Sequence, residues 1–223
     1  MTSFMLKIFA MVTMFCDHLG YAIYGKLSWM NYIGRLAFPV FAFQISEGYS
    51  HTKNLKKYFT RILIFAIISQ IPFIVFHFMV SKIFYLNIFF TLLMGLLAIF
   101  SYDKIPNKIL GLLVVASCAF IAEITNMDYG YWGVLVIFMF YICKNNKTLM
   151  SLSWLGLVLL QYLPRIIKYD FYYVYILLAI FTFLAIFPIL LYNKKQGRKI
   201  KYLLYIFYPA HLLVVFGIHC LLH

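Results

Sequence analysis

The chain has 223 residues, of which 65% are hydrophobic and 11% charged, with a formal net charge of +13. Soluble domains hold roughly 45–50% apolar and ~25% charged residues, so a soluble enzyme, a disordered tail and a nucleic-acid-binding domain are poor readings. Instead, 19 Lys and Arg against 6 Asp and Glu on so apolar a chain is the balance of an integral membrane protein with basic cytoplasmic loops.

A helical membrane span needs ~20 mostly apolar residues. Apolar runs between charged or turn-rich breaks predict nine, at 4–24, 31–50, 59–80, 83–102, 108–125, 130–143, 148–164, 172–192 and 202–222, the sixth being short. The breaks leave no room for a soluble domain, so residues 1–223 read as one all-α polytopic bundle. The first span has Lys7 as its only early basic residue, no small-x-small cleavage pattern, and Asp17-His18 inside it. It is expected to remain as a helix of the mature protein rather than a cleaved signal. Cys16, Cys118, Cys143 and Cys220 are dispersed and form no metal-binding or disulfide spacing.

Loop charge sets the expected orientation. With the N-terminus inside, the cytoplasmic side holds 14 of the 19 basic residues: Lys7; Lys53, Lys56, Lys57 and Arg61; Lys104 and Lys108; Lys144 and Lys147; and the run from Lys194 to Lys201. The outer side holds Lys26, Lys82, Arg165 and Lys168. This positive-inside bias predicts an odd number of spans, N-terminus inside and C-terminus outside.

Ionisable residues within spans carry the functional signal, because each costs at least a few kcal/mol in hydrocarbon unless paired or hydrated. Asp17 and His18 lie ~20 Å along the first helix, in its outer half. Arg35 lies near the outer start of the second span, Asn87 near that of the fourth, Asp128 before the sixth with Tyr129 and Gly130 behind it, and His211 in the ninth after Tyr208 and Pro209. These polar groups share one half of the membrane. Asp17 and Arg35 form either a structural ion pair or part of a site. His18 reads as a proton carrier. His211 reads either as a second functional histidine or as a core histidine satisfied by Tyr208 or Tyr205. His77, His219 and His223 read as interfacial. On the cytoplasmic side, Lys53, Lys56, Lys57 and Arg61 serve either topology alone or a phosphate-bearing ligand. Glu47 needs a partner, which Lys57 or Arg61 would supply. No spacing supports a metal site.

Five stretches carry a family resemblance: LKIFAMVTMFCDHLGY; YIGRLAFPVFAFQISEGYSHTKNLKKYFTRILIFAIISQIPF; LNIFFTLLMGLLAI; DYGYWGVLVIFMFYI; and YLLYIFYPAHLLVV. With their DH, GR-x-x-FP, DYG and FYP-x-H motifs in this order, the chain resembles the TraX family, in particular its shorter Gram-positive-type members. The match covers nearly the whole chain and is weakest over 100–125 and 145–195. The resemblance implies acyl transfer, since the founding member acetylates the N-terminus of a conjugative pilus subunit. The layout is also similar to polytopic acyltransferases that modify cell-surface sugars, in which a first-helix histidine is central and basic residues near the third helix serve the donor.

The implied enzyme is a multi-pass acetyltransferase of the bacterial plasma membrane. It moves an acetyl group from acetyl-CoA to an amine or hydroxyl on a pilin, another exported protein or a surface polymer. Its partners are membrane lipid and that acceptor, with no nucleic acid. His18 would act as general base or covalent carrier, Asp17 would orient it or a partner, and Arg35 would steady the thioester oxygen or Asp17. His211 and Tyr208 would complete the catalytic pocket. Lys53, Lys56, Lys57 and Arg61 would hold the donor, and Asn87, Asp128 and Tyr129 the acceptor. A proton-coupled transporter and a non-catalytic assembly factor are the alternative readings.

Overall fold

Proline accompanies the breaks in two of the nine apolar runs, while Pro72, Pro164 and Pro209 lie inside helices that continue. Proline has no N–H, and its ring clashes with the carbonyl four residues earlier, so an unbroken helix cannot form through that point without distortion. The computed structural model describes residues 1–80, 84–170, 172–198 and 202–222. Lys82, Lys199, Lys201 and His223 therefore lie outside the described residues. In the second run, α2 (Trp29–Gly34) ends at Arg35, and α3 (Ala37–His51) begins with Pro39 in its first turn. In the eighth run, α9 (Tyr172–Leu184) ends before Ala185, and α10 (Ile186–Leu190) carries Pro188 in its first turn. In both, the proline takes a first-turn place where its missing N–H is no loss.

The remaining helices follow the expected runs: α1 (Ser3–Tyr24), α4 (Leu55–Val80), α5 (Ile88–Lys104), α6 (Lys108–Ile124), α7 (Gly130–Ile142), α8 (Lys147–Lys168) and α11 (Leu203–Leu222). The all-helical fold class is as expected. Helix α4 starts earlier than predicted because Asn54 accepts from the Lys57 amide and caps it (2.9 Å). Helix α5 starts later because Asn87 is its cap, accepting from the Phe89 amide (3.0 Å).

Helix α3 is the axis of the bundle. Every residue from Ala37 to Ser46 is buried, against α1, α5, α7 and α10. Helices α4 and α11 pack on each other and on α5 and α1 respectively, and α8 pairs with α9. The outward faces are greasy: Ile71 of α4 is 72% exposed and Ile109 of α6 is 73% exposed. Water does not tolerate so much contiguous apolar surface, whereas lipid does. By length and composition, five stretches among the described residues suit a bilayer crossing: Ser3–Tyr24, Leu55–Phe78, Lys147–Lys168, Tyr172–Leu190 and Leu203–Leu222.

Cross-helix bonds collect alternate element ends. At one end the Ser3 and Phe4 amides donate to the Lys195 and Gln196 carbonyls (2.9 and 3.1 Å). There, too, the hydroxyls of Tyr49 in α3 and Tyr141 in α7 both donate to Asp103 of α5 (2.8 and 2.7 Å). Lys144 reaches Ser50 (3.2 Å) and Lys147 reaches the Leu190 carbonyl (2.9 Å). At the other end His219 of α11 meets the Ala22 carbonyl of α1 (3.1 Å), and Leu86 pairs with the segment 126–128. The charged ends expected inside thus gather together.

Candidate functional site

At the end away from Asp103, a cavity of about 510 Å³ opens between α1, α3, α4, α7 and α8. Asp17, His18, Arg35, Asp128, Tyr129 and Tyr208 all line it. Residues spread over some 190 positions of sequence are therefore brought to one polar space.

Asp17 and Arg35 form an ion pair. Arg35 Nη2 donates to both carboxylate oxygens at 2.9 Å, and Arg35 Nε donates to the Asn31 carbonyl at 3.3 Å. The pair depends on the helix break: Arg35 caps α2, and at neighbouring Gly34 a Cβ would collide with the Asp17 side chain. Glycine permits this close approach of backbone to carboxyl. Arg35 Nη1 has no protein acceptor among the described residues, and the guanidinium borders the cavity. Both N–H groups of Nη1 are thus left for a ligand.

His18 pairs with His211, not with Asp17. The contact between His18 Nδ1 and His211 Nε2 is 2.7 Å, and the rings lie 17° from parallel. His211 Nδ1 lies 2.9 Å from the Phe207 carbonyl. A carbonyl only accepts, so His211 Nδ1 carries a proton and, in the neutral ring, Nε2 is a lone pair. His18 must then donate from Nδ1, which leaves His18 Nε2, in the cavity wall, as a lone pair with no protein donor among the described residues. The alternative that Tyr208 or Tyr205 satisfies His211 is not realised. The Tyr205 hydroxyl instead accepts from Arg61 Nε (3.0 Å), and Tyr208 meets His211 ring to ring, with centroids 5.6 Å apart.

Asp128 and Tyr129 sit in the turn between α6 and α7. The Thr91 hydroxyl donates to the Asp128 carbonyl, and the Asp128 amide donates to the Leu86 carbonyl (2.8 Å). Tyr129 has φ 66°, a left-handed conformation uncommon for a bulky residue. It stacks on Phe38 with ring centroids 3.8 Å apart. Such backbone outliers concentrate at functional sites.

Three expectations are corrected. Asn87 does not line the cavity: its Nδ2 donates to the Ala66 carbonyl and Gln70 Oε1 (2.7 and 2.8 Å), and its oxygen caps α5. Glu47 takes neither Lys57 nor Arg61 as a partner among the described residues, and its carboxylate lies 3.8 Å from His51 Nδ1. His77 is not interfacial alone, since it borders the cavity. On the opposite side of the bundle, Lys53, Lys56 and Lys57 are exposed, while half-buried Arg61 lies over the Tyr58 and Tyr205 rings at 5.3 Å. Half-buried Lys7 of α1 is the electrostatic neighbour of Arg61.

Sequence reading missed Asn31, which is fully buried and bonded to Asp17. Its signal was present: a polar residue one helical turn before Arg35. It also missed Glu123, Gln161, Tyr162 and Arg165 around the cavity, whose polar character alone does not separate them from loop residues.

The chain is similar to the "Probable fimbrial assembly protein FimC, serogroup H1" of Dichelobacter nodosus, with 28% identity over 239 residues covering 95% of this chain and 93% of that protein. It is also similar to the "Uncharacterized protein RP591" of Rickettsia prowazekii (strain Madrid E), with 28% identity over 155 residues covering 66% of this chain and 58% of that protein. No solved structure matches the chain. The family described as TraX protein matches residues 3–219. With that span, an all-helical bundle and apolar outer faces, the chain is a membrane protein that belongs to the TraX family.

Proposed function

We propose that this protein is a membrane acyltransferase that moves an acetyl group from acetyl-CoA to an amine or hydroxyl of an exported protein or surface polymer. The single observation that carries the reading is the pairing of a free base and a free donor in one cavity: His18 Nε2 and Arg35 Nη1. His18 Nε2 takes the proton of the acceptor X–H as the X–acetyl bond forms and the thioester C–S bond breaks. The same proton then goes to the departing thiolate, so products are acetylated acceptor and free thiol. Arg35 Nη1 donates to the thioester oxygen as charge develops there, while Asp17 keeps the guanidinium oriented. His211 holds the His18 tautomer that leaves Nε2 basic.

The lining favours an amine over a neutral hydroxyl. Of the 6 acidic residues in the chain, Asp17, Glu123 and Asp128 border the cavity against Arg35 and Arg165, a balance that attracts an ammonium group, which sheds one proton to solvent before His18 Nε2 takes the second as the neutral amine attacks. The fimbrial-assembly relative supports a pilus subunit as acceptor. Acetyl-CoA would approach from the opposite face, its phosphates held by Lys53, Lys56, Lys57 and Arg61.

The test is mass spectrometry of exported proteins and surface polymers from cells with and without the chain, paired with transfer from labelled acetyl-CoA in membrane vesicles. An acetyl group present only with the chain supports the reading. Identical acetylation patterns and no label transfer overturn it. For the donor site, Lys57→Ala with Arg61→Ala is expected to raise the KM for acetyl-CoA. The double variant's KM should also respond less to salt than that of the unaltered protein, because screening acts on the charges removed.

A further inference from the structure

A buried asparagine amide has four hydrogen-bonding places, two donors and two acceptor lone pairs. Asn31 fills all four. Its Oδ1 accepts from the Ser28 amide (2.7 Å) and the Ser28 hydroxyl (2.9 Å). Its Nδ2 donates to the Asp17 backbone carbonyl (2.8 Å) and to Asp17 Oδ1 (3.2 Å). The side chain is wholly buried. The amide has a single workable orientation: reversed, Oδ1 would face two oxygens of Asp17 and Nδ2 would face the Ser28 N–H.

Asn31 also touches the ion pair through its backbone, because its carbonyl accepts from Arg35 Nε (3.3 Å). The contact lies where α1 and α2 come closest. A Cβ on Gly20 would press on Ser28 and Met30, and one on Gly34 would press on Asp17. Residue 31 thus grips Asp17 at backbone and carboxylate while supporting Arg35 from beneath.

We propose that Asn31 is the positioning residue of the site: it fixes the Asp17 carboxylate, and through it the direction in which Arg35 presents Nη1 to the cavity. This rests on the acyltransferase reading for its kinetic consequence, though not for its geometry. With the clamp gone, Asp17 regains side-chain freedom and Arg35 follows it. Arg35 Nη1 then no longer sits where the reacting oxygen needs it, a displacement whose kinetic penalty falls on turnover rather than on binding.

The experiment has two arms on the full chain in detergent. The first measures acetyl transfer by Asn31→Leu, Asn31→Asp, Arg35→Ala and the double variant Asn31→Leu/Arg35→Ala. Each single variant is expected to lose about tenfold or more in kcat with KM near its original value. Because Asn31 acts through Arg35, the double variant is expected to be no slower than Arg35→Ala alone. A residue needed only for folding would add its own loss to that of Arg35→Ala. The second arm reads Arg35 directly: modification by phenylglyoxal, quantified on the Arg35 peptide, is expected to rise several-fold in Asn31→Leu.

If Asn31→Leu does not accumulate in membranes, Asn31→Ser carries the same two readouts without adding apolar bulk. Unchanged Arg35 reactivity, or losses that add in the double variant, overturns the positioning role. Absence of acetyl transfer by the unaltered protein overturns the acyltransferase reading instead, and the phenylglyoxal arm alone then judges the clamp.

Discussion

A carbonyl oxygen can only accept a hydrogen bond, and at residue scale this orients both imidazoles of the site. The Phe207 carbonyl holds a proton on His211 Nδ1, His211 Nε2 holds one on His18 Nδ1, and His18 Nε2 is left basic. His18→Ala is therefore expected to lower turnover by ~10²–10⁴-fold while the protein still inserts. His18→Gln is expected to be nearly as poor, since an amide cannot take the proton. His211→Gln keeps an oxygen that can accept from His18 Nδ1, so it is expected to retain clearly more activity than His211→Leu. Labelled-acetyl transfer, normalised to protein in the membrane, measures all four. Near-normal turnover in His18→Ala would end its assignment as base. Equal activity of the two His211 variants would remove the tautomer argument. The neighbouring Asp17 was the obvious orienter of His18 in the sequence, but adjacent helical residues point ~100° apart, and its carboxylate faces Arg35.

At the scale of elements, the breaks at Arg35 and Ala185 lie just before Pro39 and Pro188, and the first of them makes the site possible. A continuous helix through 31–50 would carry Arg35 along one smooth face, whereas the break lets its guanidinium turn back onto α1. Far from the site, Asp103 joins α3, α5 and α7 by accepting from Tyr141 and Tyr49. Those hydroxyls, helped by Lys104 and Lys108, hold its carboxyl below the usual carboxylate range. A depressed folded-state pKa means the contribution is fully present above the unfolded value of about 3.9 and is lost as pH falls through the folded one. Thermal unfolding in detergent is therefore expected to show Asp103→Asn less stable than the unaltered protein at pH 7. The gap should close as the pH drops below about 4. A gap that persists undiminished in acid would show that the carboxylate charge is not what joins these helices.

At the scale of the whole molecule, the end contacts sort the loops into two groups, and charge alone says which group is cytoplasmic. The group holding Ser50, Lys144, Lys147 and Lys195 is expected inside, and the cavity is expected in the outer half. Single cysteines introduced near Lys56 or Lys195, in a chain lacking its own four, are expected to resist impermeant thiol reagents in sealed cells. A cysteine introduced near Lys26 is expected to react. The opposite pattern would reverse the orientation and place His18 toward the cytoplasm.

Composition and apolar run length alone determined that this chain is an all-helical membrane protein, because in lipid a spanning segment must satisfy its backbone polar groups within itself. Helix limits were legible to within a few residues, except where Asn54 and Asn87 set them and at the breaks before Pro39 and Pro188. The shared depth of Asp17, His18, Arg35, Asp128 and His211 was legible too, since 1.5 Å of rise per residue converts sequence position into depth. Partners were not legible. Which face of α11 meets α1 depends on helix rotation and packing across a separation of 193 positions, and no local pattern encodes that. Only the tertiary structure decided that His18 pairs with His211, that Asn31 grips Asp17, that Arg61 turns to Tyr205, and that Asn87 is a cap. Each of those outcomes depends on side-chain direction and hydrogen-bond saturation, which exist only once helices are packed against one another.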